Sequence, residues 1–245
     1  MKILLYVTDA ADTAVRMRLK DGEPDVQAVR RTLNPFDEIA CEAAVALKEK
    51  GLALSVTAIA VGGRPAREAL LRALAMGADE GLFVEAGQTG EFERCRILES
   101  VMREGAYDAL FSGKLNTDTD EGFASMMAGA RLGIPVVSNV HRLEETPEGF
   151  SALSTTEGGV MRTLLRPPFV LTADLRLANP RYVTLPAMMR AKKKAVLEKK
   201  LEDFGLKPEV AARSQGFAYP VKTVSKTVLP DAQALLAALR QASDR

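Results

Sequence analysis

Short apolar runs alternate with longer amphipathic stretches over the first two-thirds of the chain. A short apolar run bounded by turn residues is typical of a buried strand, and apolar residues at helical spacing indicate a helix. Ile39, Ala43, Ala46 and Leu47, for example, share one face of a predicted helix. The predicted strands are Ile3–Thr8, Leu54–Val61, Gly81–Val84, Asp108–Ser112 and Val136–Val140, and the predicted helices are Phe36–Lys50, Pro65–Met76, Gly90–Glu104 and Glu121–Leu132.

The order of these elements predicts the fold class. Strands separated by single helices need crossover connections, which give a mostly parallel sheet covered by helices on both faces. We therefore expect an α/β protein with a doubly wound sheet. Sheets of this kind bind ligands beyond the carboxyl ends of their strands, where the strand order reverses. The residues that follow each strand are therefore the first candidates for a site.

The last third of the chain has a different pattern. Residues 141–155 predict an added antiparallel hairpin around a Thr-Pro-Glu-Gly turn, and residues 160–177 predict further strand. Residues 178–230 predict no compact unit of their own, and one amphipathic helix is expected at Asp231–Gln241. A long, loosely patterned tail with apolar residues is typical of an extended arm that wraps around a partner.

Composition and charge exclude several classes of protein. The 245 residues are 47% hydrophobic and 27% charged with a net charge of +1, which gives no reason to expect nucleic acid binding. No apolar stretch approaches the roughly 20 residues of a membrane span, and the N-terminal apolar run is too short for a signal peptide. Cys41 and Cys95 lack metal or redox spacing, and the single His141 cannot build a histidine metal site. We expect a cytoplasmic protein with free thiols and no membrane insertion.

An Asn-Pro pair precedes the first predicted helix. Asn34 suits the position that caps a helix, and Pro35 suits the first turn because its missing N–H would have no partner there. Asp37 and Glu38 then lie at the positive end of the helix. These residues make a well-formed helix start, or they present that start, with Phe36 beside it, to a ligand. The local sequence leaves both interpretations open.

The stretch FSGKLNTDTDEG, residues 111–122, also follows a predicted strand and precedes a predicted helix. Its backbone amides, Lys114 and threonine hydroxyls could receive phosphate oxygens, although the GxxxxGKS or GxxxxGKT motif of ATP-hydrolysing proteins is absent. The spacing of the acids excludes an EF-hand calcium site. Such a loop needs a glycine at its sixth position and an acid at its twelfth, and counted from Asp118 these positions are Phe123 and Gly129. Acids directly before a helix are also ordinary capping residues, so a structural turn and a phosphate-binding loop both stand as interpretations.

Four segments together resemble the beta subunit of electron transfer flavoprotein. They are LNPFDEIACEAAVALKEKG (33–51), RALAMGADEG (72–81), FSGK with its following acids (111–120) and, most specifically, TADLRLANPRYVTLPAMMRAKKK (172–194). The segments occur in family order and at family spacing. The resemblance runs from about residue 1 to residue 200.

The resemblance implies an adenine-nucleotide alpha-hydrolase-like fold and an obligate heterodimer with an electron transfer flavoprotein alpha subunit, which holds most of the FAD. It also implies a second nucleotide, AMP or a second FAD, in the beta subunit. Electrons would come from a flavin dehydrogenase and leave to a membrane or soluble acceptor such as a quinone reductase. The chain would then be an electron carrier subunit and not a stand-alone catalyst. The alternative is a nucleotide-binding structural or sensing module on the same fold, without a redox role.

The resemblance divides the chain and assigns its nucleotide contacts. Residues 1–178 would form the nucleotide-binding domain, residues 179–200 a partner-recognition loop and basic helix, and residues 201–245 an arm that wraps the alpha subunit. Phe36 would approach the alpha-subunit flavin. The positions that match nucleotide contacts are Tyr6, Asn34, Pro35, Phe36, Asp37, Val61, Gly113, Lys114, Asn116, Thr117, Asp118, Thr119, Asp120, Phe123 and Ala124.

The segment YVTLPAMM implies a docking site for partner proteins. Leu185 matches the leucine that plugs into a pocket on partner dehydrogenases, and an exposed leucine on a loop is suited to such transient contact. Arg190 and Lys193 follow on the same segment, and Arg181 and Lys192 are also expected to be available for an acidic partner.

The chain departs from the family pattern at its nucleotide loop. Residues 115–117, Leu-Asn-Thr, replace the family's Gln-Ala-Ile, and residues 123–125, Phe-Ala-Ser, replace the Gln-Thr-Gly element that opens a helix against the phosphate. The bulk of Phe123 and the lost polar donors predict weak or absent AMP binding. Thr13 replaces the family's tyrosine near the flavin.

Overall fold

The computed structural model describes residues 1–12, 14–15, 18–21, 23–25, 29–87, 89–207 and 228–243. Its helices are α1 (Pro35–Glu49), α2 (Arg64–Met76), α3 (Glu91–Gly105), α4 (Ala124–Leu132), α5 (Leu185–Ala191) and α6 (Ala232–Ser243), with a 3-10 turn at Leu201–Phe204. Its strands are β1 (Lys2–Tyr6), β2 (Asp9–Ala11), β3 (Leu19–Lys20), β4 (Glu23–Pro24), β5 (Arg31–Leu33), β6 (Ser55–Gly62), β7 (Glu80–Glu85), β8 (Ala109–Gly113), β9 (Val136–Thr146), β10 (Gly149–Thr156), β11 (Gly159–Leu165), β12 (Phe169–Ala173) and β13 (Val196–Lys200).

In the described part of the chain, nine strands form one sheet in the order β11-β10-β9-β12-β8-β1-β6-β7-β13. All neighbours from β9 to β13 in this order are parallel, whereas β10 runs antiparallel to β9 and β11. The chain passes from β1 to β6 and β7 on one side and then returns to β8 on the other, so the strand order reverses beside β1. This confirms the predicted α/β class. It also makes the carboxyl ends of β1 and β8 the place where such sheets bind ligands.

Helices cover both faces of the sheet, as the doubly wound prediction requires. Ile3 and Leu5 of β1 belong to the core that includes α1 and α2, whereas Leu4 and Tyr6 belong to the core that includes α3 and α4. This alternation follows from the two-residue period of a strand. Because both faces of β1 are buried after Lys2, its sequence from Ile3 to Tyr6 is an unbroken apolar run.

Two predicted boundaries are wrong. The strand predicted at Val136–Val140 and the first strand of the predicted hairpin form a single strand, β9, of 11 residues. The helix predicted from Glu121 begins at Ala124. Residues 121–123 stay in the preceding loop, where the backbone folds closely on itself: a Cβ on Gly122 would lie 2.3 Å from the carbonyl oxygen of Lys114.

Residues after 178 pack more closely onto the sheet than the sequence predicts. β13 adds a parallel edge strand to β7, and Leu201 and Leu206 beyond it are buried in the core. Three of the five residues of β13, VLEKK, are charged, because an edge strand is covered on fewer sides than a central one. Residues 208–227 of the predicted C-terminal arm lie outside the described residues.

The terminal helix α6 confirms the helix predicted at Asp231–Gln241. Asp231 caps it by accepting a hydrogen bond of 2.8 Å from a backbone N–H. The apolar face of α6, formed by Leu235, Leu236 and Leu239, is about half exposed. Within the ranges given above, none of the helices has the length and apolar content that a membrane crossing needs.

Candidate functional site

The carboxylate of Asp37 joins the ends of β1 and β8 to the start of α1. Its Oδ2 accepts hydrogen bonds from the Thr8 N–H at 2.8 Å and the Thr8 hydroxyl at 2.6 Å, and its Oδ1 accepts one from the Gly113 N–H at 2.7 Å. The residue is only 3% exposed. Burial raises the pKa of Asp37 to about 6, although these hydrogen bonds favour the ionised form. A buried carboxylate thus holds two strand ends and a helix start together.

Asn34 lies where the sequence predicts a helix cap, but its side chain does not cap α1. Its Nδ2 donates to the carbonyl oxygen of Leu115 at 2.9 Å, and its Oδ1 accepts a hydrogen bond of 3.3 Å from the Thr117 N–H. The capping prediction is therefore wrong: the donor and the acceptor of one amide both bind the loop formed by residues 114–122. Pro35 occupies the first position of α1, as predicted.

The 114–122 loop is also fastened to the N-terminal segment of the chain. Asn116 donates to the Thr8 hydroxyl oxygen and to the Asp9 carbonyl oxygen, both at 3.0 Å. Asp118 accepts hydrogen bonds from a backbone N–H of β2 and pairs with Arg31 at 2.9 Å, and Arg31 also pairs with Asp9. Among the described residues, no group of three or more His, Cys, Asp or Glu side chains could hold a metal ion. Asp118, through its contacts with β2 and Arg31, holds the loop in place.

Lys114 forms an ion pair inside the chain. Its Nζ lies 3.0 Å from Asp174 Oδ2 and 5.2 Å from the centroid of the Phe36 ring. Burial would raise the pKa of Asp174, but hydrogen bonds from Arg176 and Lys114 outweigh it and hold that pKa at about 2. The lysine that the sequence offers to a phosphate thus has an ionised carboxylate as its partner. Phe36 beside it is buried, with 8% of its surface exposed.

A small cavity lies where these elements meet, with a volume of about 20 Å³. A void of this size holds about one water molecule, whereas small-molecule pockets measure roughly 300–1,000 Å³. The Tyr6 hydroxyl is buried in the cavity wall without a hydrogen-bond partner among the described residues, and burial raises its pKa. The predicted site residues that line the cavity are Tyr6, Asn34, Asp37, Gly113, Asn116 and Ala124.

Glu91 lines the cavity but is not among the residues that the sequence predicts for the site. It is the first residue of α3 and is 6% exposed, and its Oε2 accepts a hydrogen bond of 2.8 Å from the N–H of Ala124, the first residue of α4. Its Oε1 lies 3.0 Å from Nη1 of Arg94. An acid in the first turn of a helix is ordinary capping chemistry. Nothing in the local sequence signals that this one reaches a second helix 33 residues later in the chain.

Several predicted site residues lie away from the cavity. Phe123 is 39% exposed and packs edge-to-face against Phe92, with ring centroids 6.0 Å apart. It does not line the cavity, and the weak or absent AMP binding expected from Phe123 stays a prediction. Thr119 and Asp120 are exposed in the 114–122 loop.

Val61 lines a separate and open cleft, together with Gly62 and Gly63 at the start of α2. Arg94 borders both this cleft and the cavity. Thr13, the replacement for the family's tyrosine near the flavin, lies outside the described residues.

Leu185 begins helix α5 and does not lie on a loop, and it is 77% exposed. Met189, one helical turn later, is 54% exposed, and Tyr182 just before the helix is 89% exposed. Arg190 and Lys193 are exposed beside them. We call these five residues the docking patch. They bring three large apolar side chains and two cations together within one short segment.

Other basic residues of this segment are bound within the chain. Arg181 pairs with Glu42 at 2.9 Å and with Glu49 at 2.6 Å, both on α1, and the hydrogen bonds to these two carboxylates raise its pKa. The Nζ of Lys194 donates to two carbonyl oxygens at and just after the end of α2, at 3.0 and 2.5 Å. The expectation that Arg181 is available to a partner is therefore wrong, since it anchors the docking patch to α1.

Asp37→Asn should change the pH dependence of stability. The pKa of Asp37 is raised from 3.8 to about 6 in the folded protein, so its folded form holds an extra proton between these values, and the stabilisation this gives is lost as pH rises through 6. Between about pH 4.5 and pH 7, we expect the free energy of unfolding of the wild type to fall by about 2 kcal/mol more than that of the variant. Urea unfolding at both pH values measures this difference, and parallel pH profiles would contradict it.

Comparison with known proteins identifies the family. The model of the electron transfer flavoprotein domain matches residues 25–204. A protein of Bradyrhizobium diazoefficiens named electron transfer flavoprotein subunit beta is 37% identical over 216 residues, which cover 87% of this chain and 86% of the relative. Proteins with the same name are 35% identical in Mus musculus, over 84% of each chain, and 31% identical in Syntrophomonas wolfei, over 86% of this chain and 88% of the relative. The chain therefore belongs to the electron transfer flavoprotein family, among its beta subunits.

Proposed function

We propose that this chain pairs with an electron transfer flavoprotein alpha subunit, and that the heterodimer carries electrons from a flavin dehydrogenase to a quinone reductase or a similar acceptor. Beta subunits of this family are electron transfer proteins and not stand-alone catalysts. In this proposal the alpha subunit holds most of the FAD, which supplies the redox chemistry. The chain described here supplies surfaces that position the partners.

The docking patch carries this proposal. Leu185 is 77% exposed although it is a large apolar residue, and Tyr182 and Met189 are exposed beside it. A cluster of exposed apolar side chains marks a site of protein contact, and a few such residues supply most of the binding energy. Arg190 and Lys193 would favour an acidic partner and speed its approach. We therefore assign the patch to the electron-donating dehydrogenase.

Helix α6 supports contact with a second subunit. Leu235, Leu236 and Leu239 form one face of this helix and are about half exposed. A helix with a single apolar face is normally stabilised by packing that face against another element. We assign this face to the alpha subunit, and the docking patch to a different and transient partner.

We also infer a cytoplasmic location. Cys41 and Cys95 are both buried and unpaired. Free thiols are typical of proteins in a reducing compartment.

Co-expression with the alpha subunit tests the proposal. We expect a yellow complex with one copy of each chain, seen as a single species by size-exclusion chromatography with light scattering and by the absorbance of bound flavin. Leu185→Ala should leave this complex and its FAD intact, because the docking patch is assigned to another partner. A colourless protein that does not bind the alpha subunit would contradict the proposal and favour a nucleotide-binding module without a redox role.

A further inference from the structure

The cavity at the ends of β1 and β8 does not fit the second nucleotide that the family resemblance implies. Its volume is about 20 Å³, whereas even the smaller ligand pockets measure roughly 300 Å³. A helix N-terminus is a ready site for a phosphate group, but the first N–H of α4, that of Ala124, already donates to Glu91. The space and the first amide donor at the start of α4, where a phosphate group would lie, are therefore taken by the chain itself. The open cleft that Val61 lines, with a volume of about 1050 Å³, adjoins this cavity at Arg94.

Glu91 has the contacts that a phosphate would make. One of its carboxylate oxygens binds the Ala124 N–H at 2.8 Å and the other lies 3.0 Å from the Arg94 guanidinium. A helix N-terminal amide and an arginine are donors that proteins commonly direct at phosphate oxygens. Since Glu91 is 6% exposed, this arrangement is buried and leaves little room for a competing anion.

The cavity wall keeps polar atoms that Glu91 does not satisfy. The Tyr6 hydroxyl and the Nε of Arg94 are both buried, and neither has a hydrogen-bond partner among the described residues. Buried polar groups are normally paired, so two unpaired ones in a single wall need an explanation. They indicate a site whose wall is suited to a larger polar ligand than the carboxylate it now contains.

We propose that Glu91 is a built-in anion that occupies the phosphate position of a nucleotide site, and that the Glu91–Arg94 pair closes this site to AMP. Arg94 pairs with the carboxylate at 3.0 Å and lines both the cavity and the open cleft. Removal of Glu91 would leave the Ala124 N–H, the Arg94 guanidinium and the Tyr6 hydroxyl as donors around an enlarged cavity. The residue that blocks AMP is therefore Glu91, and not Phe123 as the sequence predicts.

Calorimetric titration of the full-length chain with inorganic phosphate and with AMP tests this proposal. The wild type should bind neither at millimolar concentration, and Glu91→Ala should bind both at least about tenfold more tightly than the wild type. Adding Arg94→Met to Glu91→Ala should remove the gain. Glu99→Ala is the matched control, because Glu99 lies on the same helix and pairs with Arg103 and Arg131 away from the cavity; its affinity should equal that of the wild type.

Three results would overturn the proposal. One is release of a stoichiometric nucleotide when the purified wild type is denatured and the supernatant is analysed by mass spectrometry. Another is a Glu91→Ala protein with a native circular dichroism spectrum and no gain in affinity. If that variant does not fold, Glu91→Gln replaces it, because glutamine keeps an acceptor for the Ala124 N–H but loses the charge. Glu91→Gln should bind phosphate more tightly than the wild type, and equal phosphate affinities of the two proteins are the third result that would overturn the proposal. These readouts involve neither the alpha subunit nor electron transfer, so they are independent of the proposed function.

Discussion

Gly113→Ala should destabilise the protein by about 3 kcal/mol and disrupt the junction of β1, β8 and α1. A Cβ at this position would lie 2.6 Å from Asp37 Oδ1 and 2.6 Å from Phe36 Cβ. Both neighbours are buried, so neither can move away without disturbing the packing around it. Overpacking costs roughly 1–3 kcal/mol, and a carboxylate displaced from its donors adds about 1–3 kcal/mol. Urea unfolding measures the change.

Gly158→Ala is the control for this experiment. A Cβ there would meet no atom within 4 Å, so we expect a change within about 0.5 kcal/mol. If Gly113→Ala unfolds at the same urea concentration as Gly158→Ala, the close contact of Gly113 with Asp37 and Phe36 has no energetic importance.

Leu185→Ala should slow electron transfer from the partner dehydrogenase by about 30-fold while FAD stays bound. Truncation of a residue that dominates an interface costs about 2 kcal/mol or more, which corresponds to this factor when docking limits the rate. Stopped-flow measurement of flavin reduction in the heterodimer, at dehydrogenase concentrations below saturation, gives the rate. Leu54→Ala is the matched control, since Leu54 is also 77% exposed and lies outside the docking patch. Equal rates for the two variants would contradict the docking role.

The sheet and its helices could be predicted because their signal is local. Residues 3–6 of β1 and residues 109–111 of β8 are buried on both faces, so they are continuous apolar runs, and the helices between strands show one apolar face each. The family resemblance implied Tyr6, Asn34 to Asp37 and Gly113 as site positions. They meet in the structure because each lies at a strand end or a helix start and the carboxyl ends of parallel strands share one edge.

The contacts that define the site could not be predicted because they join distant parts of the chain. Asn34 has the local preference of a helix cap, yet its side chain binds the 114–122 loop, 81 positions away at Leu115. The Leu115 carbonyl oxygen there takes the amide's donor and the Thr117 N–H takes its acceptor. Glu91 resembles any first-turn acid until α4 is placed beside it. β13 gains its strand conformation only by pairing with β7.

The ion pairs of Arg181 give helix α1 a mechanical role. Arg181 binds Glu42 and Glu49, while Asp37 near the other end of the same helix holds the strand ends. Asp37 and Glu49 are separated by about 18 Å of continuous helix at 1.5 Å per residue. Helix α1 thus connects the segment that presents Leu185 with the ends of β1 and β8. In the proposed function, this rigid connection would set the distance between a protein bound at the docking patch and the strand ends.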